Sequence, residues 1–483
     1  MVIDALKYQI LQQFGFVPTE EQGQALDAFA RFLTDRDPDA VMILRGSAGT
    51  GKTSLSGAIV RTLKAIRQKV MLLAPTGRAA KVFSLNSGCP AYTIHRRIYR
   101  EKSFAGVDGQ FNLNDNLFTD TLFMVDEASM ISNLGFGGGN FGSGCLLDDL
   151  VRFVYQGHND RLMLIGDKAQ LPPVGEEESP ALNRMMLEGY GLKVYECDLN
   201  EVLRQSQESG ILYNATVIRQ MITHDDITQL PLIRFKGFAD IVMMPGNELV
   251  ESLANSYYRV GQDETMVITR SNKRANIYNN GIRNMVLDRE DELSCGDMLM
   301  IVKNNYFWTE KERTEAKEAL NAIPPFLANG DRAKVLRVSR HMELYGFRFA
   351  TLLLQFPDYD NYEMSVTALL DTLQSEAPAL THEQQEQLFH GVEEDYQDVP
   401  LKADRMKAIR GDQYFNALQV KYAYAITCHK AQGGQWEHVY VDQGYMTDDM
   451  LTPDYIHWLY TAFTRAKDKL FLVNWPKTQA EQA

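Results

Sequence analysis

The sequence predicts an α/β protein organised around a phosphate-binding loop, and three stretches carry that expectation. "GSAGTGKTS" (46–54) stands between an apolar run at 40–44 and a segment with Leu55, Ile59, Leu63 and Ile66 at helical spacing, so a strand, a glycine turn and a helix follow one another. "TLFMVDEASM" (121–130) is a second apolar strand, ending in Asp126-Glu127, and "RLMLIGDKAQLPPV" (161–174) is a third, ending in a Gly-Asp turn. Strands alternating with helices define the α/β class.

Each element implies a chemistry. Gly46, Gly49 and Gly51 let backbone N–H groups close around a phosphate at a helix N-terminus, with Ser47, Ala48, Thr50 and Ser54 along the same cradle. Lys52 reaches β and γ oxygens, and Thr53 supplies a hydroxyl to Mg²⁺. Asp126, at its strand end, is placed for the Mg²⁺ shell, which leaves Glu127 to orient or deprotonate an attacking water; this second carboxylate points to ATP hydrolysis rather than transfer. Gln170 offers a neutral amide that can bond a γ-phosphate and lose that bond on hydrolysis, a two-state contact. Pro172-Pro173 then forces an extended exit. Upstream, "PTEEQGQALDAF" (18–29) offers the Gln22 amide to an adenine edge; the same stretch also reads as a surface helix start with Thr19 as N-cap.

Composition sets the bounds. The 483 residues, 45% apolar and 23% charged, suit a globular chain of three or four domains. Apolar runs such as 40–44 and 69–75 are too short to span a bilayer, and no basic-then-apolar leader opens the chain, so a cytoplasmic location is expected. The five cysteines are scattered without a C-x-x-C pair, which fits reduced thiols and argues against zinc or iron–sulfur ligation. A net charge of −14 argues against a polyanionic partner only if it is spread evenly, and eleven carboxylates and no Lys or Arg fall between Asp358 and Asp398. The acidity is local, and the near-neutral remainder can carry a basic groove.

Nine motifs then occur in order: Gln22 in "PTEEQ", "GSAGTGKT", "APTGRAAK" (74–81), "TIHRR" (93–97), "VDEASM", "GDKAQLPPV", "LNEVLRQ" (199–205), "YAITCHKAQGGQW" and "YTAFTRAK" (460–467). Together they resemble the superfamily 1 helicases, most closely the RecD and phage Dda branch (superfamily 1B), from about residue 18 to 474 with an interruption between roughly 336 and 418. The resemblance implies two RecA-like P-loop NTPase domains facing each other across one ATP, with a small pin insertion in the first and a small β-barrel insertion in the second. The expected division is 1–205 for the first domain with its pin at about 95–118, 206–330 and 418–483 for the second, and 331–417 for the insertion, which includes the acidic segment 358–398.

Within this resemblance, "TCHKAQGGQW" (427–436) is similar to the second-half motif that touches both nucleotide and strand. Thr427 and His429 are donors suited to phosphate or sugar oxygens, Gly433 and Gly434 allow close backbone approach to the γ-phosphate, and Gln435 stands where related motors often carry Glu toward the ribose. Cys428 reads as a small buried filler. Arg204 and Arg465 read as guanidiniums brought to the γ-phosphate in the transition state, the alternative being surface ion pairs. "VITRSNKRANIYNNGIR" (267–283) looks like the opening strand and helix of the second half, with Arg270, Asn272 or Lys273 meeting nucleotide or strand.

For the strand itself, "TIHRRIYREKSF" (93–104) interleaves His95, Arg96, Arg97, Arg100 and Lys102 with Tyr99 and Phe104, cations alternating with stacking faces; a solvated helix face is the alternative. Pro75, Thr76 and Arg78 join this track. The Asp-Gly turn in "SFAGVDGQFNL" (103–113) signals a hairpin, which the resemblance makes a duplex-parting pin near Val107–Gly109 and which otherwise is an ordinary surface hairpin. Residues 326–338 and 347–356 read as strands around turns, with Asn329 and Gly330 fitting a turn that needs φ > 0. The glycine-rich 135–144 reads as a mobile loop. The acidic segment suggests an amphipathic helix with Val366, Leu369, Leu370 and Leu373 on one face, in a solvated insertion or a docking site for a protein partner.

The expected function is an ATP- and Mg²⁺-dependent DNA helicase acting as a monomer on single-stranded and forked DNA in repair, recombination or replication. Travel from 5′ to 3′ is implied by resemblance alone. An RNA helicase of the same superfamily, an accessory ATPase subunit of a nuclease complex, and an NTPase unconnected to nucleic acid are the alternatives.

Overall fold

The computed structural model of the chain describes residues 2–104, 109–135, 142–201, 208–224, 227–315, 323–324 and 326–481. In the first half, β1 (Ala40–Gly46), β2 (Lys69–Ala74) and β3 (Ala91–Thr93) precede a hairpin of β4 (Tyr99–Phe104) and β5 (Gly109–Leu113), and β6 (Thr121–Val125), β7 (Arg161–Gly166) and β8 (Lys193–Leu199) follow it. Apart from the hairpin these strands form one parallel sheet in the order β3-β2-β6-β7-β1-β8. Strands β1, β6 and β7 are buried along their whole length, as unbroken apolar runs covered on both faces must be. The alternation of a strand divides their side chains between two cores. Ala40, Met42 and Leu44 pack beneath the helices Val2–Phe14, Glu20–Thr34 and Lys52–Ala65, while Val41 and Ile43 pack on the other face with the helix Leu146–Gln156.

The second half holds β9 (Ile241–Met244), β10 (Thr265–Thr269), the barrel strands β11 (Met298–Ile301), β12 (Arg332–Leu344), β13 (Phe347–Phe356), β14 (Tyr362–Leu369) and β15 (Leu418–Tyr422), and then β16 (Ala425–Thr427), β17 (Trp436–Asp442) and β18 (Ala466–Val473). Its parallel sheet runs β16-β10-β17-β18-β9, and β11 to β15 close a five-stranded barrel. The barrel takes in strands on both sides of the span 331–417. This is the α/β architecture of two P-loop-type halves with a barrel in the second.

Several local expectations are corrected. Residues 366–373 are no amphipathic helix: β14 ends at Leu369, and Met364, Val366 and Ala368 are buried in the barrel. The reason is the period-two alternation of "MSVTA" (364–368), which pairs with β13 and prevails over the helical spacing of four leucine-like residues. The helix of the acidic segment comes later, at His382–Asp395, behind a Thr381/Gln384 capping box. Leu388 and Val392 seat it on Phe347, Phe349 and Leu369, so the segment is packed on the barrel end and is not a freely solvated insertion. The strand after the Asn-Gly turn starts at Arg332, and Gly330 alone of that pair takes a positive φ, at +97°. The β4–β5 hairpin pairs Tyr99 with Leu113 and Phe104 with Gly109. Val107 and Asp108 of the expected pin tip, and 136–141 of the glycine-rich loop, lie outside the described residues.

All five cysteines are free thiols, with Cys428 buried. Among the described residues no helix is long and apolar enough to cross a membrane.

Leu352 on β13 is fully buried in the barrel. Leu352→Ala is expected to lower the unfolding free energy by about 2–5 kcal/mol, read from urea denaturation.

Candidate active site between the two halves

The order β6-β7-β1 sets three loops side by side at the C-terminal ends of adjacent parallel strands, where open α/β sheets form their sites. Asp126 and Glu127 leave β6, Asp167 to Gln170 leave β7, and the phosphate loop leaves β1. Gly49 and Gly51 take φ of +78° and +80°, a conformation that glycine adopts without strain. The Thr50 hydroxyl donates to the Ser47 carbonyl at 2.8 Å, and the Gln22 side chain donates to the Thr50 carbonyl at 2.9 Å. Thr19 does cap the helix Glu20–Thr34, but Gln22 is 1% exposed and braces the back of the loop, so this is not a surface helix start. Lys52 donates to the carbonyls of Gly46 and, at 3.1 Å, Ser47. Thr53 and Ser54 are exposed in the first turn of the following helix.

Burial first, and the neighbouring Glu127 second, push the Asp126 carboxyl up to about 7. A hydroxyl at Thr53 and a carboxylate at Asp126 are hard oxygen donors, the set that suits Mg²⁺, whose charge would favour the ionised carboxylate. Glu127 sits at φ 53°, outside the usual range for a side-chain-bearing residue, with its N–H donating to Asp126 Oδ1 at 2.9 Å. Such strained backbone is concentrated at functional sites.

Gln170 links this carboxylate to the other half. In the orientation that satisfies both ends of its amide, the nitrogen faces Glu127 Oε2 at 3.3 Å and the oxygen accepts from Arg465 Nη2 at 3.3 Å. Arg465 is 2% exposed, which rules out the surface ion pair. Its guanidinium also donates to the carbonyls of Thr461 at 3.0 Å and Gly434 at 3.2 Å. Arg204 lies outside the described residues.

The helix Pro453–Phe463 grips the turn after β7. Tyr460 Oη donates to Asp167 Oδ2 at 2.6 Å and accepts from the Ala48 N–H at 3.0 Å, so one hydroxyl joins two first-half loops to the second half. Thr461 Oγ1 accepts from the Leu171 N–H at 2.8 Å, Gln432 donates to the Leu171 carbonyl at 2.7 Å, and His457 Nδ1 meets the Ala169 carbonyl at 2.9 Å. None of these four residues is singled out by the sequence, although Tyr460, Thr461 and Gln432 lie inside quoted motifs. Arg219, which lies in no motif, donates to Ser47 Oγ at 2.6 Å.

Among the candidate strand residues, the structure separates several. Thr76 caps the helix Gly77–Ser87, with Pro75 just before it. Arg78 is engaged across the halves: Nη2 donates to the Gln435 carbonyl at 2.8 Å and the guanidinium lies 4.6 Å above the Trp436 ring. Gly433 packs closely on that same helix, where a Cβ would sit 2.9 Å from Ala79 Cβ. Gln435 points its side chain to solvent. Tyr99 is no stacking platform: it is 8% exposed, and its hydroxyl donates to Asp149 at 2.7 Å in the buried layer under the helix Leu146–Gln156. His95, half-buried beside it, has its pKa pushed down to about 4 by burial and is neutral at pH 7. Arg96 stays exposed over Tyr92. Thr427 precedes a short helix without a side-chain capping bond, His429 in that helix is exposed, and Cys428 is the buried filler expected. Arg270 is turned onto Tyr455 and Met446, and the Asn272 side chain bonds the Glu376 carbonyl.

The barrel also reaches the first half. Lys81 donates to the Pro357 carbonyl at 2.6 Å, and a Cβ on Gly77 would meet Asp331 Oδ1 at 2.5 Å.

A phosphate loop, an acidic strand end and the Gln170 amide in one parallel half, answered by the buried Arg465 from a second parallel half, are the arrangement that the superfamily 1 resemblance implies. Comparison with known proteins narrows the class. Residues 19–228 match an AAA domain model and residues 422–473 a UvrD-like helicase C-terminal domain model. The ATP-dependent RecD2 DNA helicase of Deinococcus radiodurans is 30% identical over 157 residues, covering 32% of this chain and 18% of that protein. An uncharacterized protein of Methanocaldococcus jannaschii is 34% identical over 33% of this chain and 14% of its own length. The chain thus aligns with less than a fifth of either relative. An uncharacterized protein of Acanthamoeba polyphaga mimivirus is 21% identical over 89% of this chain and 94% of its own. Among solved structures, the Pif1 helicase from Bacteroides in complex with ADP-AlF3 and ssDNA overlaps 97% of this chain and 95% of that one, at 14% identity and a TM-score of 0.46. The two domain-model matches and the RecD2 similarity support a RecD-like helicase of superfamily 1.

Tyr460→Phe removes the hydroxyl shared by Ala48 and Asp167 and leaves both without it. It is expected to cost about 1–3 kcal/mol in chemical denaturation without ligand.

Proposed function

We propose that this chain is an ATP-driven DNA helicase that moves 5′ to 3′ along a single strand and opens forked duplex as a monomer, in a repair, recombination or replication setting in the cytoplasm. The observation that carries this reading is the line Glu127–Gln170–Arg465, in which one amide joins the hydrolytic carboxylate of one half to the buried guanidinium of the other. Hydrolysis removes the γ-phosphate that would hold both groups, so the bonding of Gln170 changes with the nucleotide state and the relative placement of the halves changes with it.

In this mechanism Gln22 braces the loop beneath the nucleotide, the backbone from Gly46 to Gly51 cradles the phosphates, and Lys52 exchanges its two loop carbonyls for β and γ oxygens. Thr53 and Asp126 would hold Mg²⁺, which would supply positive charge against the phosphates of bound nucleotide. Glu127 orients the water, and Arg204 and Arg465 meet the transferring charge. The strand lies over Pro75, Thr76, Arg96, Thr427 and His429, which come from both halves, so a change in their separation displaces the strand. The first motor domain is 1–205 with its hairpin as the pin, and the barrel insertion rides on the second.

Duplexes bearing a 5′ tail, a 3′ tail or no tail test the reading. The 5′-tailed duplex alone should open with ATP, and Lys52→Ala should lower strand-stimulated ATPase on the order of 10²-fold or more. Preference for the 3′ tail would overturn the direction, stronger stimulation by poly-U than by poly-dT would overturn DNA as the substrate, and no stimulation by any strand would overturn the motor.

A further inference from the structure

Arg219 is placed as a residue that serves the phosphate site. It sits near the end of the helix Gly210–Thr223, whose start is fixed by Ser209 as N-cap and by Asp240, which accepts from the Gly210 N–H at 2.8 Å. Ile211, Ala215 and Ile218 bury this helix in the same core as Ile456 and Leu459 of the helix that carries Tyr460. Two neighbouring helices of the second half therefore touch consecutive residues of the phosphate loop, one through Arg219 at Ser47 and one through Tyr460 at Ala48.

The partners of Arg219 are unusual for a guanidinium. Nη1 donates to Ser47 Oγ at 2.6 Å and Nη2 to the Asn200 carbonyl at 3.4 Å, and among the described residues no carboxylate pairs with it. A half-buried arginine ordinarily ends on a carboxylate or a phosphate, whose paired oxygens match its fork. Lys52 bonds the same residue at its backbone, with Nζ 3.1 Å from the Ser47 carbonyl. One cation from each half thus converges on Ser47, inside a loop built to surround an anion.

We propose that Arg219 is a further catalytic cation supplied across the cleft, one that contacts the terminal phosphate of bound nucleotide during hydrolysis. The inference rests on the ATPase reading above. In that step the water oxygen bonds to the γ-phosphorus as the bond to the β–γ bridging oxygen breaks; the water proton passes to Glu127 and the bond electrons leave on ADP. The charge on the phosphoryl and leaving oxygens is met by Lys52 from the first half, by Arg204, and by Arg465 and Arg219 from the second.

The test uses the full chain with Arg219→Gln, which keeps most of the side-chain stem, and Arg219→Lys, which keeps the charge but not the fork. Oligo-dT-stimulated ATPase gives kcat and KM, and a fluorescent ADP gives affinity with and without fluoroaluminate, the analogue of the transferring phosphoryl group. Arg219→Gln is expected to lower kcat on the order of 10²-fold or more, to leave ADP affinity within about threefold, and to abolish the tightening by fluoroaluminate; Arg219→Lys should recover part of each. A kcat within about threefold of wild type overturns the inference. So does a loss of ADP affinity with fluoroaluminate tightening intact, which marks Arg219 as a brace for Ser47. A wild-type chain without ATPase activity overturns the motor reading and this inference together, whereas an active wild type matched by Arg219→Gln overturns this inference alone.

Discussion

The cleft depends on one constraint, the neighbouring of β6, β7 and β1 in a parallel sheet. Parallel strands present all their C-terminal ends on one edge, so loops distant in sequence arrive together there. Asp126, Gln170 and Lys52 come from three such loops, and each is set by where its strand runs out of apolar residues. Strand register is held from both faces by two separate cores, and a slip of one residue in β1 would exchange Met42 for Val41 between them.

The second half meets that edge with hydrogen bonds more than with ion pairs. The Tyr460 hydroxyl, the Thr461 hydroxyl, the Gln432 amide and the His457 ring each bond a loop group of the first half, and only the Asp167 end carries a carboxylate. Neutral hydrogen bonds contribute roughly 0.5–1.5 kcal/mol each once exchange with water is counted. A seam of that kind can be remade in a different register at small cost. Burying unpaired charges in the same place would make each rearrangement cost far more.

How much of this was legible in the sequence follows from the range over which each signal acts. The phosphate loop, the Asp126-Glu127 strand end and the barrel strand at 347–356 are local patterns, and they sit where the periodicity placed them. Tyr99 reads as a stacking face next to its arginines because the sequence does not show Asp149, fifty positions on, waiting for its hydroxyl. Val366, Leu369, Leu370 and Leu373 satisfy a helical spacing, yet β13 offers a partner edge and the two-residue period prevails. Gly433 reads from its motif as a site of close backbone approach, and the helix it packs on, some 350 residues earlier, is not visible from that motif. Tyr460, Gln432 and Arg219 act on partners between 172 and 412 positions away, and no local pattern reports a contact of that separation.

The contact of the barrel with the helix Gly77–Ser87 has a mechanical consequence. Lys81 on Pro357 and Gly77 against Asp331 fasten the halves at a place separate from the nucleotide cleft. The barrel therefore acts as an outrigger, a support set to one side of the cleft, and a motion that spreads the halves apart has to break its contact as well as those of the seam.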